Sequence, residues 1–220
     1  MNKYIIITIF AAAFSNRIAV ASDSPRIAQA STKAMPSSSS DLKIKGLYIG
    51  MSISEAKIVL DKLLLGPGSK FTFGEESENS EEGNRQFNIT YKTTLGSPTP
   101  YDCVTVKADG NKKVIKIDLL NEEVINALFD SKSMTADEFA QMFVNAYKLP
   151  TMQPGRWDAN FIVTHNGWQC TTEGGVRVSL SRTMTVGNPG ARANLVNNLP
   201  TKGLLMERAF NARETKGKFN

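Results

Sequence analysis

Two stretches of this chain, 83 residues apart, share one short grammar, and that repetition narrows the possible folds more than any other feature. Met51-Ser52-Ile53-Ser54-Glu55-Ala56 recurs as Met134-Thr135-Ala136-Asp137-Glu138-Phe139. In each, a hydroxyl residue stands three places before a glutamate: Ser52 before Glu55, Thr135 before Glu138. This is a capping box, in which the hydroxyl accepts from an orphan helix N–H and the glutamate reaches back to the cap's own N–H. Behind the boxes, Ala56, Val59, Leu60 and Leu63 match Phe139, Met142, Phe143 and Ala146. Both sets follow the i, i+3, i+4, i+7 spacing of one apolar helix face.

Strand-like sequence follows each helix. Leu42 to Ile49 alternates as a short extended segment, and the first helix, from Ser52 to about Leu65, is stopped by Gly66-Pro67-Gly68. The acidic segment 75–83 reads as a loop, and Arg85 to Thr93 as a strand with Phe87, Ile89 and Tyr91 on one face. A hairpin over 101–120 turns at Asp109-Gly110-Asn111-Lys112, with Val106 opposite Ile115. Short helical sequence covers 122–129, and the second capped helix 135–147. A hairpin of Phe161–His165 with Trp168–Thr172 is expected about Asn166-Gly167, a strong turn signal. After Glu173-Gly174-Gly175, Trp168 falls opposite Leu180 and Cys170 opposite Val178. Residues 184–199 read as loop and 201–215 as an amphipathic C-terminal helix. The fold class is α+β, with two similar helix-plus-antiparallel-sheet units in tandem. The first unit covers 42–120 and the second 121–182, leaving 183–220 as a loop and C-terminal helix.

The N-terminus reads as an export address. Lys3 precedes an apolar run from Tyr4 to Phe14, and Ala19-Val20-Ala21 offers a cleavage pattern before Ser22, so residues 1–21 are expected to be a signal peptide. The run is too short for the roughly 20 residues a membrane span needs, so no transmembrane segment is expected in the mature chain. Residues 22–41, with Pro36 and four consecutive serines, read as a flexible leader. About 180 residues remain, enough for one ordinary domain or two small units sharing a core. The formal net charge of +5 falls by two with the leader cations Lys3 and Arg17, too small a balance to argue for nucleic acid. Residues 182–220 hold seven basic residues against Glu207 and Glu214, so weak contact of this segment with an anionic envelope surface is an alternative to a plain basic tail. The expected location is periplasmic or secreted.

Two cysteines in an exported chain favour a disulfide between Cys103 and Cys170, although the hairpin register puts Cys103 on the face away from Val104. The one histidine, His165, is the only candidate for nucleophilic or acid–base chemistry that would need an imidazole, and no nucleophile elbow accompanies it. It reads as a rim residue beside Trp168, with a small envelope hydrolase assembled around it as the rival function. No metal-ligand spacing, phosphate loop or cofactor motif is present, and none is expected; calcium at Glu75–Glu82 stays open as an alternative to a solvated loop. Aromatic and guanidinium side chains supply the best recognition material: Tyr91, Arg156, Trp157 and Trp168. Trp157 stands out because Pro154-Gly155-Arg156-Trp157-Asp158 has a loop-like composition.

Gly50-Met51-Ser52-x-x-Glu55-Ala56, entering a capped helix ahead of antiparallel hairpins, resembles the SmpA/OmlA outer-membrane assembly lipoproteins and the related β-lactamase inhibitory proteins. The inhibitory proteins duplicate such a unit in tandem, as Met134-Thr135 does here. The second copy has Ser133 where the first has Gly50, and the assembly family's lipid-bearing cysteine is absent. The resemblance implies binding of another protein, in an inhibitory, immunity-type or assembly role, with no catalytic residues.

Overall fold

The computed structural model describes residues 42–81, 84–94, 100–160, 163–187 and 196–209. The expected signal peptide, the leader and the chain beyond residue 209 lie outside these. Among the described residues, no helix is long and apolar enough to cross a membrane.

Helix α1 (Ile53–Leu64) precedes strands β1 (Phe71–Glu81), β2 (Asn84–Thr93), β3 (Tyr101–Ala108) and β4 (Val114–Leu119). Helices α2 (Glu122–Phe129) and α3 (Ala136–Tyr147) precede β5 (Gln153–Asn160), β6 (Val163–Thr171), β7 (Val176–Val186) and β8 (Val196–Arg208). The eight strands form one antiparallel sheet in the order β1-β2-β3-β4-β8-β7-β6-β5. Two four-stranded meanders therefore join through β4 and β8, and each follows its own helical segment. The sheet has the pseudo-symmetry that the repeated capping grammar predicts.

Both capping boxes form. Ser52 accepts from the Glu55 N–H and Thr135 from the Glu138 N–H, and each glutamate accepts from its cap's backbone N–H. Those backbone hydrogen bonds hold both carboxyls below their ordinary range. The buried stripes are rotated from the expected ones. Ile53, Ala56, Leu60 and Leu64 face inward on α1, and Phe139, Ala140, Phe143 and Val144 on α3. Leu63 and Ala146 turn outward instead.

The inward helix residues share one apolar core with one face of the sheet. A row on that face runs across six strands as Cys170, Val178, Met206, Ile117, Val106 and Ile89. Phe129, Phe139 and Phe143 meet in tilted, edge-on arrangements between α2 and α3, with centroids 5.5–5.7 Å apart.

Several elements differ from the sequence reading. The acidic segment is strand β1, at the edge of the sheet, where charged side chains face water and discourage further pairing. Residues 42–49 make a tight turn closed by Ile44 and Leu47, not a strand. In the β3–β4 hairpin Val106 pairs with Ile117, two residues beyond the expected Ile115: the turn is one residue shorter, with Asp109 facing Lys113, and a bulge next to Ala108 absorbs Ile115. The two-residue shift preserves the apolar face. The expected C-terminal helix is strand β8, and part of the expected loop over 184–199 belongs to β7 and β8.

The expected disulfide is absent: Cys103 and Cys170 are both free and buried. Cys103 sits on β3 and Cys170 on β6, four strand spacings apart, or about 19 Å, whereas a bridge needs Cα atoms within about 7 Å. Cys103 is the extra residue of a bulge opposite Tyr91, and its thiol donates to the Tyr91 carbonyl at 3.2 Å. Burial pushes the two thiols up, Cys103 to about 12 and Cys170 to about 11, so neither is a nucleophile at neutral pH. Labelling of unreduced, denatured protein should therefore find two thiols per chain, and added reductant should leave the melting temperature unchanged. A melting temperature that falls on reduction would show a bridge.

Candidate functional site

Side-chain alternation along the strands leaves the second face of the sheet without a described helix. Its composition is polar. One row crosses all eight strands as Gln153, Gln169, Ser179, Leu205, Asp118, Thr105, Thr90 and Glu75. The next row holds Thr171, Arg177, Glu207, Lys116, Lys107, Asn88 and Ser77. Leu205 is the apolar exception, and it stands outside the core cluster.

The recognition candidates are divided between the two faces. Tyr91 is fully buried on the core face, donating from its hydroxyl to Asp61 Oδ1 of α1 at 2.7 Å. It holds a helix to the sheet and cannot be a contact residue. Trp168, opposite Leu180, is half-buried on the core side with the Arg182 guanidinium 5.7 Å over its ring. Arg156 shares that side by register and is exposed on edge strand β5. Trp157 belongs to the polar face. It lies in a strand, not a loop, and stacks on His165 at 5.8 Å with the rings 14° apart.

The expected hairpin about Asn166-Gly167 does not form. β6 runs straight through these residues, and the irregularity falls on β7, where Arg182 is the extra residue of a bulge. Without a turn, His165 and Trp168 point to opposite faces. The register of Trp168 with Leu180 and Cys170 with Val178 forms as expected.

His165 is buried, and its Nδ1 lies 2.7 Å from Ser181 Oγ. A serine beside a histidine is the start of a nucleophilic dyad, but the setting differs from one. Ser181 is fully buried, which keeps a substrate carbonyl from its oxygen. No carboxylate bonds to the imidazole among the described residues. The contact orients a neutral ring under Trp157.

Burial alone pushes the imidazole down from its ordinary 6.5 to about 4. The unfolded chain then takes up a proton near pH 6.5 that the folded chain refuses until about pH 4. Stability from this group is complete above pH 6.5 and is lost as the pH falls toward 4, by up to about 3 kcal/mol. The capped Glu55 and Glu138 act at lower pH, losing their contribution only below 4.5. Urea midpoints between pH 7 and 4.5 should show this loss in the native protein and not in His165→Gln. An identical pH dependence in both would show that the imidazole is not the group responsible.

Among the described residues, four buried side-chain atoms have no hydrogen-bond partner: Asn88 Oδ1, Thr90 Oγ1, Trp157 Nε1 and Ser179 Oγ. All four belong to the polar face. Leaving one such atom unpaired costs about 1–3 kcal/mol, so their gathering on one face is unlike the scatter of ordinary packing defects. Sequence reasoning missed Asn88, Thr90 and Ser179, whose only signal was their alternation with buried apolar neighbours. Among the described residues no group of three or more His, Cys, Asp or Glu side chains is placed to hold a metal ion. Two surface hollows, of about 410 and 270 Å³, lie beside Gly66–Phe71 and beside Pro150–Thr151, away from His165.

Comparisons with protein-family models, curated proteins and solved structures return no match.

Proposed function

We propose that this chain is an exported protein, periplasmic or secreted, that binds a partner protein through the polar face of its sheet. The carrying observation is the set of four unpaired polar atoms on the face that no described helix covers. Small side-chain shifts as a partner docks are an ordinary adjustment at an interface. A partner's backbone would offer both the acceptor that Trp157 Nε1 needs and the donor that Asn88 Oδ1 needs.

The resemblance to the SmpA/OmlA and β-lactamase inhibitory proteins supports the same reading. A capped helical segment followed by a four-stranded meander occurs twice, and the meanders abut in one sheet. Export rests on residues 1–21 alone, because the free cysteines remove the redox argument. A hydrolase at His165 is the rival reading; among the described residues no carboxylate bonds to the imidazole to complete a triad.

Affinity capture from the native envelope fraction, with the mature form as bait, tests the proposal. Thr105→Arg places a long cation in the middle of the polar face, whereas Ile58→Glu alters the exposed outer side of α1. The first should abolish capture of a stoichiometric partner and the second should not. Capture that survives Thr105→Arg in folded protein would remove the polar face from the function.

A further inference from the structure

Lys107 on β3 and Lys116 on β4 are direct cross-strand neighbours on the polar face. Like charges in this position repel, and sheets usually set an opposite charge or a neutral residue there. The surrounding acids offset them only in part. Glu207, on the other side of Lys116, is bonded to Arg177 at 3.0 Å. Asp118 lies 3.9 Å from the Lys116 ammonium, at the outer limit of an ion pair. Lys107 makes no ion pair within 4 Å among the described residues, although its charge also acts on the Asp118 carboxyl at longer range. Three cations thus face two acids on adjoining positions of β3, β4, β8 and β7.

A second observation points into the same place. Asn88 is the cross-strand neighbour of Lys107 on its other side, and Thr90 follows it along the same face of β2. Asn88 Oδ1 and Thr90 Oγ1 are both buried without a partner, and Thr90 is 8% exposed. The Thr90 hydroxyl can donate to an anion, as can the Asn88 amide after rotation about its last torsion.

We infer that this cluster receives a carboxylate side chain from a loop of the partner protein, seated between Lys107 and Lys116. The inference rests on the binding role proposed for the face and adds the chemistry of what the face recognises. A carboxylate offers acceptor sites to both ammonium groups and one hydroxyl at once, and it relieves the repulsion that the free protein carries. The lysines are kept for the complex and cost the unbound fold something.

The test uses a tetraglutamate peptide as the probe, with tetraglutamine, inorganic phosphate and anionic phosphatidylglycerol vesicles as comparison arms. Binding is read from backbone amide shifts of ¹⁵N-labelled protein. Tetraglutamate should shift the amides of Asn88, Lys107 and Lys116, and tetraglutamine should shift none of them. Lys107→Gln and Lys116→Gln should each weaken binding by about tenfold or more, whereas Lys62→Gln, which removes the same charge from α1, should not. The two polar-face variants should also melt no lower than the native protein, because they remove repulsion. Equal binding by Lys107→Gln, equal shifts from tetraglutamine, or a response to phosphate or vesicles without one to tetraglutamate would overturn the inference. So would a lower melting temperature in both variants, which would make the lysines structural. If tetraglutamate fails while Thr105→Arg still abolishes partner capture, the face binds but the carboxylate is wrong. Should Thr105→Arg leave capture intact, the binding role itself fails.

Discussion

Lys202→Met should destabilise this protein by about 2–3 kcal/mol, an effect that nothing around Lys202 in the sequence announces. The residue lies on β8 and is 2% exposed. Its ammonium donates to the Ser131 carbonyl at 2.6 Å and the Met134 carbonyl at 2.9 Å, and it meets Glu122 Oε1 at 3.3 Å. Ser131 and Met134 lie in the turn between α2 and α3, so one side chain fixes both helices of the second unit to the sheet. Methionine keeps most of the stem and fills most of the volume but supplies no donor. The Met134 carbonyl would then lose its partner, at about 1–3 kcal/mol, while the Ser131 carbonyl loses one donor and keeps the Met134 N–H at 2.9 Å. Glu122 is half exposed and would return to water, so its share is small. Urea denaturation followed by circular dichroism should show a lower midpoint at unchanged slope. A loss below about 1 kcal/mol would mean that water replaces the ammonium at those carbonyls. The same geometry corrects the view of residues 182–220 as one basic tail, because Lys202 is an interior residue.

The helix signals survived into the structure, whereas the Asn166-Gly167 turn and several strand assignments did not, although the register of Trp168 with Leu180 and Cys170 with Val178 did. The caps at Ser52 and Thr135 formed because every atom involved lies within four residues. α2 begins and ends at the expected residues for the same reason, with Asn121 accepting from the N–H groups of Glu123 and Val124. β8 was misread because Leu204-Leu205-Met206 suits a helix face as well as a strand buried on both sides, and periodicity cannot separate the two. β1 was misread because its glutamates have the composition of a loop, which at a sheet edge is also the composition that resists aggregation. For the candidate site, Trp157 was visible as an aromatic in unusual company, but its partner was not. Placing a turn at Asn166-Gly167 reversed the direction of His165 and hid the stacked pair. The unpaired polar atoms depend on the order β1-β2-β3-β4-β8-β7-β6-β5, which no single stretch of sequence encodes, and the opposed lysines on the bulged register of the β3–β4 hairpin.

Gly167→Ala should be the most damaging single-methyl change in the chain, at about 4 kcal/mol or more. Asn-Gly usually marks a hairpin because glycine tolerates positive φ. Here the chain continues as a strand, and the glycine serves close approach instead. A Cβ at residue 167 would lie 2.0 Å from the Leu180 carbonyl oxygen and 3.0 Å from the Arg182 N. Both are backbone atoms of β7 at its bulge, so no side-chain rotation relieves the overlap. The strands must separate there, and the pairing of Gly167 with Ser181 and of Trp168 with Leu180 goes with them. Separation of the strands would also let water reach His165, whose lowered pKa comes from burial, so the variant should lose part of the pH dependence between 6.5 and 4 as well as stability. Gly66→Ala is the matching control, since a Cβ at residue 66 meets nothing within 4 Å and its φ is not positive. That substitution should leave the urea midpoint within about 0.5 kcal/mol of the native value. If the two alanine variants unfold at the same urea concentration, β6 and β7 do not approach as closely as this register requires, and Asn166-Gly167 is a turn after all.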